Sequence, residues 1–177
     1  PDGIENDDFV ALFSGTHGIA NGLDQIIETA KVLKKRGCAK IKFVLIGQGR
    51  EKDKLMSLAA QHELSNILFL PPVNKSQLAR LMKRANVGLQ VLANIPAFYY
   101  GTSPNKFFDY IAAGLPVINN YPGWLAEQIN ANECGIAVPP ESPDAFAQAL
   151  IEMQSNPDRA KHMAANAQQL AEKCYSR

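Results

Sequence analysis

Residues 101–118, GTSPNKFFDYIAAGLPVI, carry the signals of a loop, a helix and a buried strand in immediate succession. Ser103 is of a residue type that caps helices, and Pro104 suits the first helical position because its missing N–H costs nothing there. Gly114 is typical of a helix end, and the apolar residues after it predict a strand at residues 116–119. Helix and strand in this order are the repeating unit of covered parallel sheets.

The start of this predicted helix offers groups that bind anions. Backbone N–H groups near Asn105 and Lys106 lie at the positive end of the helix dipole. Lys106 and Asp109 are three residues apart and share one face of the helix, so a cation lies one turn from a carboxylate that accepts bonds from hydroxyls. The pattern suggests a nucleotide with its phosphate and ribose, but by itself this stretch is explained more simply by a capped helix with a surface Lys–Asp pair.

The bulk composition is that of one ordinary globular domain. The chain has 177 residues, of which 46% are hydrophobic, and its formal net charge of +1 gives no reason to expect nucleic-acid binding. The three cysteines include no CxxC pair, which argues against a disulfide framework or a zinc site. Residues 1–5 look like a linker and lack the parts of a signal peptide, so we expect residues 1–177 to be one domain of a longer protein.

Short apolar runs alternate with helical patterns along the whole chain. Strands are predicted at residues 9–13, 41–46, 66–70, 87–92, 116–119 and 135–138. Helices are predicted at about residues 23–36, 51–63, 76–84, 104–113, 124–129, 143–155 and 157–174, with residues 93–102 as a loop. This alternation predicts an α/β fold: a doubly wound, Rossmann-like parallel sheet of about six strands with helices on both faces.

Two glycine-bearing turns follow the first two strands, where this fold places its ligands. Gly15 and Gly18 allow the backbone to approach a phosphate or sugar closely, and His17 between them has a donor for either. Arg50, after the second turn, is in reach of an anion, and the rigid turn at residues 71–73 offers backbone groups to a base. Each feature is also explained by a plain alternative: a tight turn, an incidental loop histidine or an exposed arginine.

Several motifs are absent from the sequence. The first turn has neither the G-x-G-x-x-G of dinucleotide-binding proteins nor the Gly-Lys-Ser/Thr of a P-loop, and there is no Gly-x-Ser-x-Gly elbow of a hydrolase. The histidines His17, His62 and His162 have no metal-ligand spacing, and no Asp-x-Asp occurs. We therefore expect no metal and no cofactor, and we disfavour an NAD-dependent oxidoreductase.

Five segments are similar, in order and spacing, to the motifs of one known family. They are residues 1–4 (an interdomain P-N-G-[IV]), 13–22 (a G-R-x-x-x-x-K-G loop), 46–49 (a hydrophobic-G-x-G turn), 70–73 with 85–87 (a base-binding strand end and an A-D-[VL] strand) and 109–118 (a signature ending E-[AY]-x-A-x-G-x-P-V-[IV]). The chain thereby resembles the C-terminal, nucleotide-sugar-binding domain of GT-B fold glycosyltransferases, particularly the retaining family four of group 1.

The resemblance implies roles for individual residues. Asp109 stands where the family holds the ribose hydroxyls with a glutamate, and Lys106 and its helix end would face the diphosphate. The residues implied beside the donor diphosphate and sugar are Gly15, Thr16, His17, Gly18, Arg50, Ser103, Asn105 and Lys106, and those implied beside the base are Pro72 and Val73.

The chain departs from the family pattern at three charged positions. Thr16 and Asn21 replace the arginine and lysine of the family's first loop, and Gly101 replaces the first glutamate of the signature. Lys106 would then supply most of the positive charge, assisted by His17 or Arg50.

The resemblance also implies an activity. The expected donor is a nucleotide diphosphate sugar, UDP-linked and carrying an N-acetylated amino sugar, transferred with retention to a lipid-linked or polysaccharide acceptor in a bacterium. The acceptor site and catalytic residues would belong to an N-terminal domain of the same protein, which would place the enzyme in the cytoplasm at the inner face of the membrane and leave this fragment inactive by itself. A GT-B-like sugar-nucleotide epimerase half and a non-catalytic nucleotide-sugar-binding module remain the alternatives.

Overall fold

The computed structural model describes residues 3–101 and 105–175. The strands within them are β1 (Phe9–Ser14), β2 (Ile41–Ile46), β3 (Ile67–Leu70), β4 (Val87–Gln90), β5 (Val117–Asn119) and β6 (Gly135–Ala137). The helices are α1 (Asp24–Lys35), α2 (Lys52–Gln61), α3 (Lys75–Arg84), α4 (Pro96–Gly101), α5 (Asn105–Ala112), α6 (Trp124–Asn132), α7 (Pro143–Ser155) and α8 (Pro157–Tyr175), with a 3-10 helix at Ile19–Asn21.

The described strands form one parallel sheet in the order β3-β2-β1-β4-β5-β6. β1 pairs with β2 from Phe9 opposite Ile41 to Ser14 opposite Ile46, and its other edge pairs with β4. The strand order reverses between β1 and β4, and in open α/β sheets this reversal leaves a crevice at the carboxyl ends of the strands. The predicted doubly wound fold is confirmed.

Helices cover both faces of the sheet, which is why the strands read as continuous apolar runs. Phe13 of β1 belongs to a core with Ile26 of α1 and Leu150 of α7. Leu12, its neighbour, points to the opposite face and belongs to a second core with Phe107 of α5. A strand buried on both faces has no polar side from which an alternating pattern would arise.

Two helices begin with the capping chemistry that their sequence indicates. Ser142 Oγ accepts a bond of 3.4 Å from the backbone N–H of Ala145 at the start of α7. Asn74 and Gln77 form a reciprocal capping box at the start of α3, one residue earlier than predicted. None of the helices in the described part of the chain is long and apolar enough to cross a membrane.

The segment after β4 differs from the prediction. Residues 93–102 were expected to be a loop, but α4 occupies Pro96–Gly101, with the proline at its first position, where it is tolerated. β4 ends at Gln90 rather than at residue 92 because the Leu92 N–H donates to Asn120 Oδ1 at 2.9 Å and leaves the strand ladder. The predicted cap at residues 103 and 104 lies outside the described residues.

Gly88 in β4 allows α5 to pack directly against the sheet. A Cβ atom added at Gly88 would lie 2.4 Å from the ring of Tyr110, which is fully buried on α5. The ring has no open space to move into, because buried interiors are close-packed.

Gly88→Ala should therefore destabilise the domain by about 1–3 kcal/mol, the usual cost of overpacking a core. Gly18→Ala is the matched control, since its Cβ would meet nothing nearer than 3.5 Å and its φ is −101°. Chemical denaturation of both variants measures the difference. Equal stabilities would show that the contact between β4 and α5 is looser than described.

Candidate functional site

The glycine turns after β1 and β2 are bonded to each other and to the end of β3. The N–H of Gly15 donates to the Ile46 carbonyl at 3.0 Å, and the N–H of Gly47 donates to the Leu70 carbonyl at 3.1 Å. Gly47 has a φ of +145°, and a Cβ atom there would lie 1.9 Å from the Gly15 carbonyl oxygen. Only glycine permits this approach, so the sequence holds the two turns side by side.

A cavity of about 300 Å³ opens over these strand ends. It is lined by Ser14, Gly15, Thr16, Ile46, Gly47, Gln48, Pro72 and Val73. The structure thus gathers residues predicted beside a diphosphate, Gly15 and Thr16, and residues predicted beside a base, Pro72 and Val73. The lining residues come from three separate parts of the sequence and meet because parallel strands end at one edge of the sheet.

Lys106, near the start of α5, brings its ammonium group to the first glycine turn. Its Nζ lies 4.1 Å from the centroid of the Phe13 ring, within the range of a cation–π contact. A Cβ atom at Gly15 would lie 2.7 Å from the same Nζ, so Gly15 makes room for the lysine. Burial lowers the pKa of Lys106 to about 8, which leaves it mainly protonated at neutral pH.

Tyr110 fixes α5 at this position, and sequence analysis did not identify it. Its hydroxyl donates to the Leu89 carbonyl at 3.0 Å and accepts from the Ser14 N–H at 3.4 Å. The tyrosine therefore connects α5 with the ends of β1 and β4. Its spacing of four residues from Lys106 places both side chains on one helix face, a signal that the sequence does contain.

His17 lies beneath the first glycine turn and not in the cavity. It is 0% exposed, and its ring centroid lies 6.1 Å from that of Phe13 and 6.4 Å from that of Phe69. Burial, and the charges of two neighbouring lysines, lower its pKa. The neutral ring donates from Nδ1 to the Gly15 carbonyl at 3.2 Å, since a carbonyl only accepts.

This position changes the expected role of His17. A buried ring does not reach a ligand in the cavity, so the predicted contact with a diphosphate does not follow from the structure. Its backbone also bonds the second turn, because its N–H donates to Gln48 at 3.0 Å and its carbonyl accepts from Glu51 at 2.9 Å. His17 supports the two turns rather than presenting a group to a ligand.

The remaining predicted residues lie around this centre. Arg50 is exposed and is not among the residues lining the cavity. Gly18 lines a separate cavity of about 150 Å³ between the first turn and α2. Asn105 and Asp109 are exposed on α5, with Asp109 one helical turn beyond Lys106, and Ser103 lies outside the described residues.

Asn21 stabilises the loop at a position where the resemblance places a lysine. Its side-chain Nδ2 donates to the Thr16 carbonyl. The same loop is joined to the segment after β4, because the Ala93 N–H donates to the Ala20 carbonyl at 2.9 Å. The asparagine at residue 21 thus closes the loop through a neutral hydrogen bond.

The comparisons with known proteins agree with this architecture. Residues 1–170 match the sequence model of the family described as glycosyl transferases group 1, so the chain belongs to this family. An uncharacterized glycosyltransferase of Methanocaldococcus jannaschii is 29% identical over 177 residues, which are 98% of this chain and 43% of that protein. The chain therefore spans less than half the length of this curated relative.

Two solved structures have the same fold. WaaG, a glycosyltransferase involved in lipopolysaccharide biosynthesis, superimposes with a TM-score of 0.80 at 22% identity over 97% of this chain and 44% of its own. HepE of Anabaena, solved in complex with UDP and glucose, gives a TM-score of 0.79 at 16% identity over 94% of this chain and 44% of its own. The resemblance to the GT-B glycosyltransferases of group 1 is confirmed.

Tyr110→Phe should destabilise the domain by about 1–3 kcal/mol, because it leaves the buried Leu89 carbonyl and the Ser14 N–H without their shared partner. Tyr99→Phe is the matched control, since the Tyr99 hydroxyl bonds Asn94 at the exposed surface. Thermal and urea unfolding measure both. If the two variants were equally stable, the Tyr110 hydroxyl would not connect α5 with the strand ends.

Proposed function

We propose that this domain binds a nucleotide diphosphate sugar, as the donor-binding half of a glycosyltransferase. The observation that carries the proposal is the Lys106 ammonium group at Gly15, beside a cavity formed by three strand ends. Lys106 has no ion-pair partner among residues 3–101 and 105–175. A partly buried cation without a counter-charge is stabilised when an anion binds beside it.

The cavity also has backbone groups that suit a phosphate. Thr16 and Gln48 line it, and their backbone N–H groups donate to no other group in the described chain. Free N–H groups on a turn, next to a cation, form a concave site for anions. They would stabilise the negative charge that develops on the diphosphate as the sugar leaves.

The far wall of the cavity suits a base. Pro71 and Pro72 have no N–H groups, so only carbonyls and the N–H of Val73 remain for pairing there. One donor and a few acceptors on a rigid backbone fit the edge of a base such as uracil. UDP is therefore the nucleotide that we propose, with Asp109 holding the ribose hydroxyls from α5.

The whole enzyme would transfer the sugar, with retention, to a lipid-linked or polysaccharide acceptor. We propose an N-acetylated amino sugar as donor, and an N-terminal domain that supplies the acceptor site and the catalytic residues and that holds the enzyme at the membrane. The relatives support this direction, because WaaG is described as acting in lipopolysaccharide biosynthesis and HepE was solved with UDP and glucose. This domain by itself would bind donor weakly and not turn over.

Calorimetric titration tests the proposal with UDP, GDP, NAD and uridine. We expect heat with UDP and none with NAD. Lys106→Met should weaken UDP binding by about tenfold to a hundredfold, which corresponds to a charge-assisted hydrogen bond of about 1.5–3 kcal/mol. Uridine should bind the variant as it binds the wild type, since it has no phosphate.

Lys83→Met controls for the loss of a positive charge, because Lys83 is an exposed lysine in the last turn of α3. It should leave UDP binding unchanged. If no nucleotide diphosphate gave heat, the donor-binding proposal would be wrong. If Lys106→Met weakened uridine as much as UDP, the lysine would act on the nucleoside or on folding, and not on the diphosphate.

The affinity for UDP should fall as the pH rises above about 8. The pKa of Lys106 is lowered by burial to about 8, so the ammonium that attracts the anion is present below that pH and lost above it. A bound diphosphate raises the pKa of Lys106. Between the pKa of the free protein and that of the complex, the affinity should fall by up to about tenfold per pH unit, which is the limit when binding is linked to one proton.

Titrations between about pH 7 and about pH 9 measure this, since the diphosphate of UDP keeps its full charge above the second phosphate pKa of about 6. Lys106→Arg is the control, because a guanidinium stays charged throughout this range. Its profile should be flat. If the affinity of this variant for UDP fell with pH as steeply as that of the wild type, the proton whose loss weakens binding would belong to another group.

A further inference from the structure

Lys52, in the first turn of α2, is a buried lysine that the sequence analysis did not identify. It is 8% exposed. Its Nζ donates to the Gly47 carbonyl at 2.8 Å, to the Leu70 carbonyl at 3.1 Å and to Gln48 Oε1 at 3.3 Å. These three acceptors use all three protons of the ammonium group.

The bonds of Lys52 join two walls of the cavity at the strand ends. Gly47 and Gln48 form the turn after β2, and Leu70 ends β3 immediately before the Pro71–Val73 turn. The lysine therefore sets the distance between the wall proposed for the phosphates and the wall proposed for the base. Its own Nζ is occupied by the protein, so it does not bind a ligand directly.

The charge of Lys52 is not neutralised by the protein. All three of its acceptors are uncharged, and it has no ion-pair partner in the part of the chain that the structure describes. Lys106 approaches the neighbouring first turn, at Gly15, from α5, also without an ion pair among the described residues. Both lysines lower the pKa of His17, which lies between the turns and is neutral. Two lysines thus lie at this end of the sheet, and neither is paired with a carboxylate among the described residues.

We infer that Lys52 is a positioning residue for the diphosphate: it holds the Gly47–Gln48 turn against the end of β3 and supplies, through that turn, a second positive charge for the anion. This inference rests on the proposed function, because the anion that Lys52 would attract is the diphosphate of the sugar donor. A buried, fully bonded ammonium keeps its place and its charge without reorganisation when the ligand binds. It would compensate for the arginine and lysine that are absent at residues 16 and 21.

Titrations of Lys52→Met with UDP, inorganic pyrophosphate and uridine test this. The affinity for UDP and for pyrophosphate should each fall about tenfold, the effect of one charge acting at a distance through protein. Uridine should lose clearly less affinity than either anion, because it carries no charge for the lysine to attract and responds only to the change in cavity shape. The matched control is Lys54→Met on the same helix, whose side chain is 70% exposed and pairs with Glu51 at 3.9 Å, and it should have no effect.

The outcomes separate this inference from the proposed function. Unchanged affinity for UDP and pyrophosphate in Lys52→Met overturns the role of Lys52 and leaves the proposed function standing. Equal losses for uridine and UDP overturn it too, since they would indicate a purely structural lysine. If the wild type bound pyrophosphate but not UDP, the proposed function would fail, and the pyrophosphate titrations would decide on Lys52. Binding of neither ligand overturns both.

A measurement on the wild type covers the case in which Lys52→Met does not fold. Bonded, buried lysine ammonium groups exchange their protons slowly, so their nitrogen resonances are observable by NMR, with Lys52→Arg for assignment. The Lys52 resonance should shift on addition of pyrophosphate and remain in place on addition of uridine. A resonance that pyrophosphate leaves unmoved would overturn the inference.

Discussion

The close approach of two backbone turns, one after β1 and one after β2, is the constraint on which the rest of the site depends. Gly47 must be a glycine because any side chain would collide with the Gly15 carbonyl, 1.9 Å from where a Cβ would lie. Gly15 must leave room for the Lys106 ammonium group. Because these two glycines have no side chains, the ends of two parallel strands form a concave surface. No side chain of either glycine covers the backbone amides there.

Buried groups beneath this surface maintain it. Lys52 bonds the second turn and the end of β3 from the side of α2, the His17 ring bonds the first turn, and Tyr110 holds α5 against the strand ends. Each side chain satisfies backbone carbonyls or amides that parallel strands leave unpaired where they end. The polar core of the site is therefore the mechanical support of the loops as well as the source of their electrostatic field.

The charge distribution follows from the same arrangement. The family pattern places cations on the first loop, whereas this chain has Thr16 and Asn21 there and closes the loop with a neutral hydrogen bond. Positive charge comes instead from lysines on two helices that flank the loop. Such charges are partly buried and little screened by salt, so fewer of them are needed near an anion than at an exposed loop.

The sequence by itself determined the parallel sheet and the edge at which the candidate site lies, because apolar runs, glycine turns and helix caps are local signals. It also indicated Gly15, Lys106, Pro72 and Val73, which the fold brings together. Only the tertiary structure decided that His17 is buried, that residues 96–101 are helical and that Lys52 and Tyr110 hold the strand ends and turns of the site together. Burial and hydrogen-bond partners depend on residues distant in the chain, such as Leu70 for Lys52 and Leu89 for Tyr110, and no local pattern specifies them.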